Sequence, residues 1–139
     1  MSDLLRIQGL CKRYGDFSLS DVSLSVPEGS VVGLVGSNGA GKTTTIKAAL
    51  GLVYADSGTI DLLGCPVTRN DAAAAARARQ GVGVVFDTCP FPQLYTVRDV
   101  QAVMRATYVG WDDDAFERHI EAFGLTPEKK VGKLSRGMG

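Results

Sequence analysis

In "LSDVSLSV", residues 19–26, Val22, Leu24 and Val26 alternate with Ser23 and Ser25, the period-two pattern of a strand with one buried face, and "PEG" then stops it. It belongs to a strand expected over Phe17 to Val26; another is expected over Leu4 to Leu10, with the turn-like "KRYGD" between them. Two strands joined by so short a link predict an antiparallel pair. "SVVGLVG", from Ser30, has no polar face and predicts a strand buried on both sides, as in a parallel sheet. From Lys42, "KTTTIKAALGL" predicts a helix with Ile46, Ala49 and Leu50 on its buried face. "SGTIDLLG" predicts a short strand between glycine turns, and Asp71 is placed to cap a helix over "AAAAARAR". "GVGVVF" is a second wholly apolar strand pattern, followed by "DTCPFPQLY", too proline-rich for regular structure. Val97, Val100, Met104 and Tyr108 then recur at helical spacing. A further helix is expected from the "DDD" of Asp112 to Asp114, burying Phe116, Ile120 and Phe123 and ending at Gly124. The expected order is β-β-β-α-β-α-β-α-α, an α/β chain.

Composition narrows the partners. Lys plus Arg and Asp plus Glu number 15 each, a net charge of zero, so there is no basic footprint for nucleic acid or an anionic membrane surface. Cys11, Cys65 and Cys89 are odd in number and widely spaced without C-x-x-C, which suggests neither a disulfide framework nor a zinc site. No apolar run reaches the length of about 18 residues that a membrane helix needs, so any membrane role is expected to go through a partner.

The chemistry concentrates in "GSNGAGKTT", Gly36 to Thr44, which fits G-x-x-x-x-G-K-[ST] between a strand pattern and a helix pattern. Small residues at Gly36, Ser37, Asn38, Gly39, Ala40 and Gly41 let successive backbone N–H groups turn inward as a nest for phosphate oxygens, with a helix N-terminus behind them. Lys42 is expected to reach the β- and γ-phosphates, the Thr43 hydroxyl to take one position on Mg²⁺, and Thr44 to donate to the α-phosphate. The bland alternative is a glycine turn between strand and helix, which has no need of a lysine and a hydroxyl in that order.

Taken together, "RYGDF", "GLVGSNGAGKTTTIKAALGLV", "SGTIDLLG", "GVVFD", "TVRD" and "LSRGMG" resemble, in order and spacing, the ATP-binding subunits of ABC transporters. The resemblance spans essentially the whole chain. It implies a P-loop NTPase core of the ABC type with an N-terminal antiparallel β-subdomain, and the start of an α-helical subdomain. The expected division is residues 1–95 for the β-subdomain and P-loop core, and 96–139 for the helical subdomain up to the signature motif. Tyr14 matches the aromatic that stacks on adenine, a contact of about 1–3 kcal/mol for bases on aromatic rings generally. Asp87 stands where the family usually has a glutamine that touches Mg²⁺ and the attacking water; a shorter, anionic oxygen donor there favours direct metal contact. "LSRGM" resembles the signature LSGGQ, with Arg136 and Met138 as departures. The resemblance implies that Ser135 and Gly137 close on the γ-phosphate of a nucleotide held by a second ATP-binding subunit, a homodimer in the simplest case. The 88–95 loop corresponds to the surface that receives a transmembrane permease subunit, with Phe91, Leu94 and Tyr95 as contacts. His119 falls well before the family's switch histidine and is read as a surface residue of its helix.

The resemblance therefore implies an ATPase that uses ATP and Mg²⁺ to power a transporter, cytoplasmic and peripheral at the inner face of the cell membrane, with no nucleic-acid partner. Asp87 and "SRGM" are similar to subunits paired with small exporters of the antibiotic-resistance or lantibiotic-immunity type. The alternatives are a nucleotide-binding regulatory module without hydrolysis and a non-transport ABC ATPase. No Walker B strand with its Asp-Glu pair and no switch histidine occurs before Gly139, so no catalytic residue is assigned, and the chain reads as the N-terminal piece of a longer ATPase. The 139-residue chain is accordingly expected to bind ATP but to turn it over negligibly, because the water-positioning group is missing. Steady phosphate release that Lys42→Ala abolishes is the result that contradicts this.

Overall fold

In the computed structural model, which describes residues 2–134, the chain divides into two compact units, Met1–Val82 and Gly83–Gly139. The first is built on a four-stranded antiparallel sheet in the order β2-β1-β3-β4, with β1 at Asp3–Tyr14, β2 at Phe17–Pro27, β3 at Ser57–Leu62 and β4 at Cys65–Pro66. The expected hairpin is present, and β1 runs four residues beyond Leu10, so that Tyr14 pairs directly with Phe17 across the two-residue turn at Gly15 and Asp16. The added length has a local cause. Asp56 accepts from the Lys12 ammonium (2.6 Å) and from the Arg13 backbone N–H (2.8 Å), holding the strand extended beside the start of β3. Close packing of β1 and β3 also requires Gly58: at φ 92°, a Cβ there would sit 2.4 Å from the carbonyl oxygen of Gly9.

Helix α1, Lys42–Ala49, packs near β3, and α2, Ala72–Arg79, near β4. The core joins Ile7 and Leu10 of β1, Leu19 of β2, and Ile60 and Leu62 of β3 to Val67 and the alanines of both helices. The α1 face differs from the expected one. Thr45, Ala48 and Ala49 are buried, whereas Ile46 is half exposed, because the small side chains let the helix approach the core closely. The alanine run has the same use in α2, where Ala74, Ala75 and Ala78 are the buried residues. Asp71 caps that helix by accepting from the Ala74 N–H at 2.8 Å, and Arg79 donates to the Leu50 carbonyl that ends α1.

The two expected parallel strands are not found. Residues 31–36 and 83–86 form no hydrogen-bonded strand among the described residues, and Val31, Val35 and Val85 are fully exposed or nearly so. A strand of this composition is stable only with neighbours on both edges and layers over both faces. Among the described residues, neither run has a strand neighbour.

In the second unit, α3 covers Val97–Thr107 and α4 Asp113–Ala122, followed by a short 3₁₀ turn at Val131–Lys133. Thr96 and Asp99 form a reciprocal capping box at the start of α3. Val97 is buried, and Val100, Met104 and Tyr108 are partly buried, as their spacing predicts. On α4, Phe116 and Ile120 are partly buried, but Phe123 is 58% exposed: it lies just past the last helical residue, where the period no longer directs it. The two helices are joined at Asp113, whose Oδ1 accepts from the Arg105 guanidinium (2.6 Å), the Gln101 amide (2.9 Å) and the Trp111 indole N–H (2.9 Å). Trp111 in turn packs on Phe116, ring centroids 5.3 Å apart.

These donors, Arg105 foremost, hold the Asp113 carboxyl below its ordinary value. A depressed carboxylate stabilises the fold fully above the unfolded value near 3.9, and that contribution is lost as pH falls through the folded value. The melting temperature of the native chain is therefore expected to fall more between pH 5 and about pH 2 than that of Asp113→Asn. Parallel pH curves for the two would contradict this role for Asp113.

Candidate functional site

The Gly-rich loop is set by the junction at Gly41. This residue sits at φ 91° immediately before α1, and a Cβ there would lie 2.5 Å from Leu19 Cδ1 and 3.4 Å from the Phe17 ring. Only glycine combines that left-handed backbone with that contact. The Gly41 carbonyl accepts from the Thr45 N–H (2.8 Å) and from its buried hydroxyl (3.0 Å), which fixes the first turn of the helix. Lys42 arches back over the loop and donates to the carbonyls of Gly36 (2.7 Å) and Ser37 (2.8 Å). The Ala40 N–H donates to the Ser37 carbonyl, tightening the turn between.

A cavity of about 560 Å³ opens at this junction, lined by Tyr14, Phe17, Asn38, Gly39, Ala40, Gly41, Lys42, Thr43 and Thr44. Its lining is of two kinds: two aromatic rings, Tyr14 and Phe17, with centroids 6.4 Å apart, and the N-terminus of α1 with Lys42 and two threonines, with no acidic residue in the first helical turn. The positive end of a helix dipole and a lysine together suit a polyanion, and the rings suit a flat apolar group attached to it.

Tyr14 and seven of the nine predicted loop residues thus line one cavity, while Gly36 and Ser37 stand behind it as acceptors for Lys42. Phe17 was not foreseen. Its signal lay in "RYGDF", where an aromatic directly after a two-residue turn must face Tyr14 across the hairpin. Asp87 lies in the second unit on an exposed bend. In the same unit, Leu94 is 78% exposed, and the segment is fastened by bonds from the Val131 and Gly132 N–H groups to the Tyr95 and Gln93 carbonyls. His119 Nδ1 sits 2.6 Å from the Ala115 carbonyl of its own helix, in keeping with a surface role. Ser135 and Gly137 lie outside the described residues. No cluster of three His, Cys, Asp or Glu side chains suited to a metal occurs among the described residues.

The family profile described as ABC transporter matches residues 19–139. The chain belongs to the ABC transporter family. Among curated relatives, it is 42% identical to the "Nod factor export ATP-binding protein I" of Burkholderia orbicola, over 91% of this chain and 42% of that protein. It is 35% identical to the "Phosphonates import ATP-binding protein PhnC 2" of a Synechococcus strain, over 96% of this chain and 55% of the relative. This ABC chain therefore spans about half the length of the curated relatives it matches. The solved structure titled "Structure of ATP binding subunit of ABC transporter" superposes with a TM-score of 0.80 at 27% identity, over 96% of this chain and 57% of that one. The fold is that of the ABC-type P-loop NTPases, and no helix among the described residues is long and apolar enough to cross a membrane.

Gly41→Ala is expected to cost about 1–3 kcal/mol through the strained backbone alone. It should also lower the affinity of the cavity for polyphosphate by displacing the loop. Adding Leu19→Ala removes the 2.5 Å clash but not the φ strain, so the double variant should regain part of the binding. Unchanged melting and binding in Gly41→Ala would show that the junction does not set the loop.

Proposed function

We propose that the cavity at the head of α1 binds Mg·ATP, and that the protein is the ATP-binding and ATP-hydrolysing subunit of a membrane transporter. The observation that carries this reading is the joining, in one cavity, of an aromatic pair and a phosphate-type loop at a helix N-terminus. On binding, Lys42 leaves the Gly36 and Ser37 carbonyls for the β- and γ-phosphate oxygens, while the N–H groups of residues 41–44 take the remaining phosphate oxygens. Thr44 serves the α-phosphate, and Tyr14 and Phe17 receive the adenine. Bound Mg²⁺ would supply charge neutralisation on the phosphates, and Thr43 would offer it a hydroxyl.

The rest of the reading follows from family membership and the quoted resemblance. Ser135 and Gly137 act across a head-to-tail pair of subunits on the partner's γ-phosphate. The 88–95 segment, with Leu94 its most exposed apolar residue, meets the permease, so the protein works at the inner face of the membrane from the cytoplasm. Asp87 and "SRGM" support export, and the relatives include an export protein and an import protein by name.

Titration with Mg·ATP tests the binding claim. The native chain should bind, and Lys42→Ala should weaken binding by about 10- to 100-fold, the equivalent of charge-assisted hydrogen bonds worth about 1.5–3 kcal/mol. Equal affinity in the two proteins would overturn it.

A further inference from the structure

The aromatic end of the cavity has a support of its own. Lys12 and Tyr14 stand two residues apart on β1 and so on the same face, and the Lys12 ammonium lies over the Tyr14 ring, 5.2 Å from its centroid. Lys12 is not among the residues that line the cavity. The Lys12 side chain is only 12% exposed, and its ammonium is held by Asp56 Oδ1 at 2.6 Å. Asp56 is itself fixed by its Oδ2, which accepts from the Arg13 N–H, and by its own N–H, which donates to the Cys11 carbonyl at 2.9 Å. Three successive residues of β1 thus bind one aspartate, and the cation they secure sits against a ring that is itself 45% exposed. The bonds to Asp56 that hold the end of β1 extended thus also fix the Lys12 ammonium against the Tyr14 ring.

We propose that Lys12, locked by Asp56, is a positioning residue for the base of the nucleotide. With one face of Tyr14 taken by the cation, the ring is confined to the orientation that turns its remaining surface to the cavity beside Phe17. Positive charge against the ring also draws density from it, which favours stacking with an electron-rich purine. The phosphate end lies on a different element and is untouched by this device. The proposal rests on the assignment of Tyr14 and Phe17 to the adenine, and its test separates the two.

Affinities for Mg·ATP and for Mg·tripolyphosphate, which has no base, are measured on the native chain, Lys12→Met and Lys12→Arg. The expected result is a native preference for ATP that Lys12→Met reduces by about 2- to 5-fold. Tripolyphosphate binding should be unchanged, which also shows that the variant is folded, and Lys12→Arg should restore the preference. A preference in Lys12→Met equal to the native one overturns the proposal, as does equal weakening of both ligands or failure of the arginine to restore. A native chain that binds both ligands equally would instead refute the aromatic platform and the proposal with it. One that binds neither would refute the phosphate loop.

Discussion

The backbone of Gly41, held at φ 91° against Leu19 and Phe17, is the constraint on which the site depends. A side chain there would collide with β2, so the loop can enter α1 in this path only because the position is bare. Once that path is taken, the consequences are geometric. The first turn of α1 points its N–H groups into the cavity, Lys42 is thrown back over the loop, and the hairpin end that carries the two rings becomes one wall of the same space. The core residue Leu19 thus both fills the interior and sets the floor of the phosphate loop.

The antiparallel sheet supplies the rest of the positioning. β1 is paired on both sides, and its last residues are tied to Asp56, so the aromatic wall stands on an element bound to β2 and β3 rather than on a free loop tip. That separation suits a ligand with two chemically different ends. A polyanion would be met by backbone N–H groups and the Lys42 ammonium, and a flat group by rings on paired strands. The second unit is organised differently, around a capping box and the carboxylate of Asp113, and it carries Asp87 and the exposed Leu94.

Much of this was legible in the sequence, and the reasons are local. The Gly-rich turn into α1, the hairpin, the cap at Asp71, the start of α4 at Asp112 and the face of α3 each depend on residues within a few positions of one another. What escaped depended on distant contacts. The extension of β1 to Tyr14 needs Asp56, more than forty residues away. The buried face of α1 is chosen by how closely alanines approach the core, so the bulkier Ile46 turns outward. Residues 30–36 and 81–86 read as buried strands because their composition is right. Composition states what a segment requires and not what lies beside it, and among the described residues neither run is paired.

The central claim is that the loop at residues 38–44 and the ring of Tyr14 bind the two ends of one nucleotide. Backbone amide shifts followed by NMR during a Mg·ATP titration test it most directly. The account predicts that the largest shifts fall on Gly39 to Thr44, with smaller ones at Tyr14 and Phe17, all following a single saturation curve. Saturable binding that leaves those amides unmoved, or that shifts the loop and the hairpin at different concentrations, would contradict it.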